Sequence, residues 1–201
     1  MTKVLIIESS PRGVDSASNQ LAARLKQVFQ ARPHVQTVSR NVSQEPIPVL
    51  DGAVLGAFFT PEADQTPEQR DVAGLSAKLI GELREADTVV IAASMYNFSV
   101  PSQLKHYFDF VLRAGQTFQY TANGPQGLLT GKRAVILAAT GGVYSAGPAA
   151  AADFVVPYLK QLLAFVGITE VTVIRAEGLA LGPDAAKAGM AAAFSQIDQL
   201  T

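Results

Sequence analysis

Five short runs of apolar and β-branched residues recur along the chain, at positions 3–7, 35–40, 88–93, 133–138 and 170–175. Unbroken runs of this length suit strands buried on both faces of a parallel sheet. Between them the spacing changes to that of helices. Residues 18–30 place Leu21, Leu25, Val28 and Phe29 on one face, and residues 67–85 do so with Val72, Leu75, Leu79 and Leu83. Residues 101–113 carry Leu104, Phe108, Val111 and Leu112 behind Pro101, a residue suited to a first helical turn. Two more helices are predicted over 150–165 and 184–200. Alternation of strand and helix, five times over, predicts an α/β fold: a five-stranded parallel sheet with helices on both faces, a three-layer sandwich. Five strands suggest the order 2-1-3-4-5. In such sheets ligands bind beyond the carboxyl ends of the strands, near the switch point between strands 1 and 3. Function is therefore expected in the loops after strands 1, 3 and 4.

Two connections are longer than this packing requires. Residues 41–66 contain the apolar stretch IPVLDGAVLGAFF (47–59), and residues 114–132 read AGQTFQYTANGPQGLLTGK. Long loops of this kind are more often functional or interfacial than decorative. No internal repeat or low-complexity segment interrupts the pattern, and residues 1–201 read as a single domain.

Composition narrows the chemistry. The net charge is -1 with no cluster of lysine and arginine, so no nucleic-acid partner is expected. Cysteine is absent, which excludes disulfides and thiolate chemistry. Only His34 and His106 are available as imidazoles, and no metal site is expected. The opening apolar core is four residues long, too short for a signal peptide. No apolar stretch approaches the roughly 20 residues of a membrane helix. A cytoplasmic protein without membrane association is the expectation.

Each of the three loops admits two readings. The first, ESSPRGVDSASNQL (8–21), carries Ser9, Ser10, Ser16 and Ser18 with a single glycine. Ser16 or Ser18 would serve as a helix N-cap, or the serines and the helix N-terminus would surround a phosphate monoester. The second loop runs from Ser94 through Met95, Tyr96, Asn97 and Phe98 to Pro101. Here Asn97 is a turn residue between core side chains, or a planar ligand lies against Met95 and Phe98. In the third loop, from Thr140 to Tyr144, Gly141 and Gly142 make a plain turn or let backbone amides approach a ligand closely. Other signals are near misses. GLLTGKR (127–133) lacks the first glycine and the Ser/Thr of a phosphate-binding loop, and VYSAG (143–147) lacks the first glycine of a nucleophile elbow.

Taken together, these blocks resemble the FMN-dependent NAD(P)H azoreductases, relatives of the NAD(P)H:quinone oxidoreductases, over nearly the whole chain. The resemblance rests on SS…SASNQL, PIPVLDG (46–52), MYNF…PSQLKHYFD (95–109), RAGQTFQYTANGPQGLLTGK (113–132), GGVY and FVGIT…AEG (165–178). It implies a flavodoxin-like fold, one FMN per subunit, and a homodimer with two active sites at its interface. By the resemblance, Ser9, Ser16, Ala17 and Ser18 would hold the FMN phosphate. Met95, Tyr96, Asn97 and Phe98 would border the ribityl chain and isoalloxazine. Gly141 and Gly142 would meet the pyrimidine end, with Thr140 and Tyr144 beside them.

The implied activity is a two-step (ping-pong) transfer. NADH or NADPH passes hydride to flavin N5, and a quinone or azo compound then takes the reducing equivalents on the same face. The flavin performs this chemistry, so no side-chain nucleophile is required, and the N–H groups of Gly141 and Gly142 would stabilise charge at N1. Asn97, Phe118, Tyr120, Tyr144 and Phe165 are expected around the flat substrate. The apolar stretch 47–59 looks hard to bury in its own subunit, and Leu50, Val54 and Phe59 are expected to roof the partner's flavin. Three positions depart from the family pattern: Ser94, where relatives commonly carry proline, and Ala139 and Thr140, where they often carry a Ser-Arg pair. These bear on flavin affinity, on its potential and on the nucleotide preference. The rival reading is a flavodoxin-like FMN electron carrier for protein partners. Such carriers usually have a strongly acidic surface, and a net charge of -1 speaks against one.

Overall fold

A computed structural model describes residues 1–200 of the chain. In chain order its first half comprises strand β1 (Thr2–Glu8), helix α1 (Ala17–Gln30), β2 (Val35–Asn41), α2 (Gly52–Phe59), α3 (Pro67–Glu85) and β3 (Thr88–Ser94). The second half comprises α4 (Ser102–Val111), β4 (Phe118–Thr121), β5 (Gly124–Gly127), β6 (Arg133–Ala139), α5 (Val156–Phe165), β7 (Glu170–Ala176) and α6 (Pro183–Asp198). Five strands form one parallel sheet in the order β2-β1-β3-β6-β7, the expected order with a separate β4–β5 hairpin set apart from it.

The unbroken apolar runs follow from burial on both faces. Side chains alternate across a strand, so Val4 and Ile6 of β1 and Val90 and Ala92 of β3 pack against Leu21 and Leu25 of α1 and Ile197 of α6. Their neighbours Leu5, Ile7, Val89 and Ile91 face the opposite way, onto Leu79 and Leu83 of α3, Leu104 and Tyr107 of α4 and Leu159 of α5. Both cores are apolar, and the three layers are those the spacing predicts. Among the described residues no helix is long and apolar enough to cross a membrane.

Both long connections contain regular structure. Asp51 caps α2 by accepting from the Val54 N–H at 2.9 Å. The Arg113 guanidinium donates to the Phe58 carbonyl near the end of α2 at 2.9 Å and lies over the Phe58 ring. The second connection folds as the β4–β5 hairpin, turning at Ala122-Asn123 with Gly124 at φ +103°. Helix α5 starts later than predicted. The Asp153 carboxylate accepts from the N–H groups of Val155 and Val156, and a short 3-10 turn at Pro148–Ala152 precedes it.

One expectation is corrected here. Val54, assigned to the partner's flavin, is only 6% exposed and belongs to this subunit's core. Helix α2 is apolar on all sides, so one face buries Val54 and Ala57 while Leu55 and Phe59 stay in solvent.

Candidate FMN site at the carboxyl ends of the central strands

Register brings the three loops together. Glu8 pairs with Ala92 across β1 and β3, and Ser94 pairs with Ala139 across β3 and β6. The Met95 N–H then continues the ladder to the Ala139 carbonyl at 2.9 Å, and the Thr140 N–H does so to Ala176. The loops after β1, β3 and β6 thus open at one edge, around the switch point where β2 and β3 flank β1.

The first loop is dense in buried hydroxyls. Ser9, Ser10, Ser16 and Ser18 are all fully or almost fully buried. Ser16 occupies the N-cap position of α1, yet its side chain caps nothing. The N–H groups of Ala17, Ser18 and Asn19 are left without a partner among the described residues. Instead the Ser16 Oγ lies 3.1 Å from Ser18 Oγ, and Ser94 Oγ closes a triangle at 2.9 Å from Ser18 and 3.4 Å from Ser16. The simple cap reading of this loop therefore fails for Ser16. Ser9 is different: its hydroxyl donates to the Ala92 carbonyl at 2.8 Å and fastens β1 to β3. Ser10 pairs with the Tyr96 hydroxyl at 3.2 Å. Uncapped amides at a helix N-terminus together with hydroxyls make an anion site, and the dipole of α1 favours negative charge there. The only cation in the loop, Arg12, is exposed and forms no ion pair among the described residues.

Glu8, at the end of β1, lines a cleft of about 340 Å³ on the far side of this loop with Gly13, Asn19 and Asn41. Burial raises its carboxyl above the ordinary value of 4.5, and Lys26 offsets this in part. An acid that binds its proton more tightly when folded weakens the fold once ionised. Glu8→Gln is thus expected to raise the melting temperature at pH 7. The gain should shrink as pH falls through the raised value and vanish below about 4.5. A melting series from pH 3 to 8 checks this, and a loss of stability at pH 7 would contradict it.

The second loop is a tight turn. Tyr96 and Ser99 exchange backbone hydrogen bonds at 2.9 and 3.0 Å, with Asn97 at φ +49° and Phe98 at φ +68° between them. Two left-handed residues make the turn a mirror-image type that glycine would favour. Phe98 in that region is strained by about 1 kcal/mol or more. The turn holds its ring 54% exposed, 6.5 Å from the ring of Tyr144. Phe98 is therefore not core, whereas Met95 rests on the core of the α3–α5 side.

In the third loop neither glycine needs a positive φ. A side chain at Gly141 would press on Ala180 at 3.2 Å, and one at Gly142 on the Tyr144 ring at 3.2 Å. The carbonyls of both are tied down, Gly141 by the Ala180 N–H and Gly142 by the Gly178 N–H and the Thr140 hydroxyl. Their own N–H groups have no partner among the described residues.

Glu177 holds the next turn, accepting from the N–H groups of Tyr144 and Ser145 at 2.7 and 2.9 Å. Arg175 bridges Glu177 to Asp153 and so clamps both ends of the loop between β6 and α5. Ser94 as a member of the hydroxyl triangle, and Asp153, Arg175 and Glu177 as the clamp, escaped the sequence reading. Asp153 alone left a local signal, an acid just ahead of an apolar helix.

The remaining expected residues gather elsewhere. Phe118 lies 4.6 Å from Phe165 and 5.5 Å from Tyr120, ring to ring. With Leu50 and Phe59, Phe118 and Tyr120 line a cavity of about 600 Å³ over α4 and α5. Asn97 and Phe98 are not among its walls. Within one subunit, Phe118 and Tyr120 share this cavity with Leu50 and Phe59, and none of the serines of the hydroxyl cradle lines it.

Known proteins share this architecture and sequence. A family described by its flavodoxin-like fold matches residues 2–201. An FMN-dependent NADH:quinone oxidoreductase of Herminiimonas arsenicoxydans is 47% identical over 100% of this chain and 98% of its own. One of Paraburkholderia phymatum is 49% identical over 98% of each. Among solved structures, an azoreductase of Bacillus anthracis superposes with a TM-score of 0.89 at 31% identity, over the full length of both chains. An FMN-dependent NADH-azoreductase of the same species, in complex with FMN, superposes at 0.91 with 28% identity, over 99% of this chain and 97% of that one. This chain belongs to the flavodoxin-like family, beside the FMN-dependent NADH:quinone oxidoreductases and azoreductases.

Proposed function

We propose that this protein is an FMN-dependent oxidoreductase that uses NADH or NADPH to reduce quinones and azo compounds in two half-reactions, as a cytoplasmic homodimer. The observation that carries the reading is the pairing, at the switch point, of an uncapped helix N-terminus and buried hydroxyls with a strained, exposed Tyr96-Asn97-Phe98 turn. The donor set suits a phosphate and the exposed rings suit a flat heterocycle. When bound, FMN supplies a two-electron carrier whose N5 takes hydride from the nicotinamide and yields it to the acceptor.

The chain's own residues bind and orient. Ser16, Ser18 and the free N–H groups of Ala17, Ser18 and Asn19 hold the phosphate. Ser9 builds the floor beneath them by fixing β1 to β3. Met95 through Phe98 border the ring system and exclude water from it, with Tyr144 edge-on to Phe98. Gly141 and Gly142, their carbonyls tied back by Thr140 and the chain after β7, present N–H dipoles to the negative pyrimidine edge. Leu50, Phe59 and Tyr120 expose apolar surface around one cavity, and a second copy would cover it and bring those side chains to the partner's site.

The test is spectroscopic. The protein is mixed with FMN, freed of excess and examined anaerobically before and after NADH or NADPH, then with a quinone. Retained yellow flavin, bleached by a nucleotide and recoloured by the quinone, is the expected result. Flavin retained but not bleached would favour the electron carrier, and no retained flavin would remove the reading. Gel filtration at micromolar concentration is expected to give a dimer, and a monomer would exclude the shared site.

A further inference from the structure

We propose that Ser94 supplies a third hydroxyl to the phosphate cradle, and that this hydroxyl makes the site favour a phosphorylated flavin over one without the phosphate. The inference rests on the FMN reading above. It starts from where each buried hydroxyl spends its proton. The Ser9 proton goes to the Ala92 carbonyl, a residue 0% exposed. Turning it toward a ligand would orphan that carbonyl, which is costly in a dry interior. The protons of Ser16, Ser18 and Ser94 go only to one another. A ligand oxygen can claim all three and leave no protein acceptor unsatisfied. Ser10 shares its proton with the Tyr96 hydroxyl, where either oxygen can donate. The trio bonded only to one another is Ser16, Ser18 and Ser94, with Ser94 arriving from the end of β3.

Charge makes each donor matter. No lysine or arginine joins the triangle, so neutral hydroxyls and the amides of Ala17, Ser18 and Asn19 must carry the dianion. Three hydroxyls and three amides offer six donors to the three terminal oxygens of a monoester. Loss of one neutral donor to a charged acceptor weakens binding by roughly ten- to a hundredfold.

The experiment compares FMN with riboflavin, which has the same ring and no phosphate, by fluorescence titration of the wild type, Ser94→Ala and Ser94→Thr. Ser16 and Ser18 still pair in Ser94→Ala, so no buried group is orphaned and the fold should hold. The expected result is FMN affinity lowered about tenfold or more in Ser94→Ala, with riboflavin affinity unchanged and FMN affinity restored in Ser94→Thr. Unchanged FMN affinity in Ser94→Ala overturns the proposal and leaves the FMN reading intact. Equal weakening of both flavins also overturns it, because that marks a structural role. A wild type that binds neither flavin overturns the FMN reading itself and this inference with it.

Discussion

Replacing Ser16 by aspartate is expected to abolish FMN retention while leaving the fold at least as stable. Ser16 stands at the N-cap of α1 with backbone angles suited to capping, yet its hydroxyl accepts nothing from the first turn. An aspartate there accepts from those free N–H groups, takes hydrogen bonds from Ser18 and Ser94, and interacts favourably with the helix dipole. The substituted carboxylate thus fills the site a phosphate would occupy. Two like charges about 4 Å apart near a protein surface repel by about 4 kcal/mol. FMN affinity should fall at least a hundredfold, about 2.7 kcal/mol. Ser16→Asn caps as well without the charge and should lose far less. Flavin titration and thermal melts of both variants check this. An aspartate variant that keeps FMN tightly would place the phosphate away from α1.

The second large effect reverses an ordinary rule. Glycine inside a helix usually costs about 1 kcal/mol relative to alanine. Gly74 in α3 obeys the rule, since a side chain there meets nothing, and Gly74→Ala should stabilise by about that amount. Gly189 in α6 does not. A Cβ at Gly189 would sit 2.2 Å from the carbonyl oxygen of Glu177, which is backbone and has no flexible end to move aside. Helix α6 lies that close to the end of β7. Gly189→Ala must displace the helix or the strand end, and overpacking of this kind costs about 2 kcal/mol or more. For a chain this size the melting temperature should drop by roughly 4–8 °C. Glu177 also holds the Tyr144–Ser145 turn, so flavin affinity should fall with it. A Gly189→Ala protein as stable as the wild type would show that α6 rides further from β7.

The inner strands β1, β3 and β6 were legible because burial on both faces makes each a run of apolar residues, as in VLII of β1 and TVVIAA of β3. The edge strands β2 and β7 keep polar positions and were marked by their β-branched residues. Helices α1 and α3 were legible because each shows one apolar stripe. Helix α2 was not: GAVLGAFF is apolar all round and carries two glycines, so no periodicity marks it. Only Asp51 ahead of it signalled a start. The β4–β5 hairpin had its Asn123-Gly124 signal, hidden inside a stretch that also reads as a loop.

The candidate site divides the same way. The serine loop, the Met95–Phe98 segment and the paired glycines were read from the chain because each follows an apolar strand, and strand ends in such sheets face the ligand crevice. The roles of individual groups depended on partners far away in sequence. Ser18 meets Ser94 across 76 positions, and Ser9 meets Ala92 across 83. Which hydroxyl is free to donate is a question of where its proton already goes, and only the packed sheet answers it. Val54 shows the same limit: its neighbours in sequence are as apolar as it is, and the choice between core and surface was made by where α2 docks. The amino-acid sequence by itself determined the strand-helix alternation, the sheet and the three loops at its edge, because those follow from local periodicity. The tertiary structure alone decided which serine hydroxyls already have an acceptor, which helix glycine has no room for a side chain and which face of α2 is left open, because each of those is a distance between residues that the chain keeps far apart.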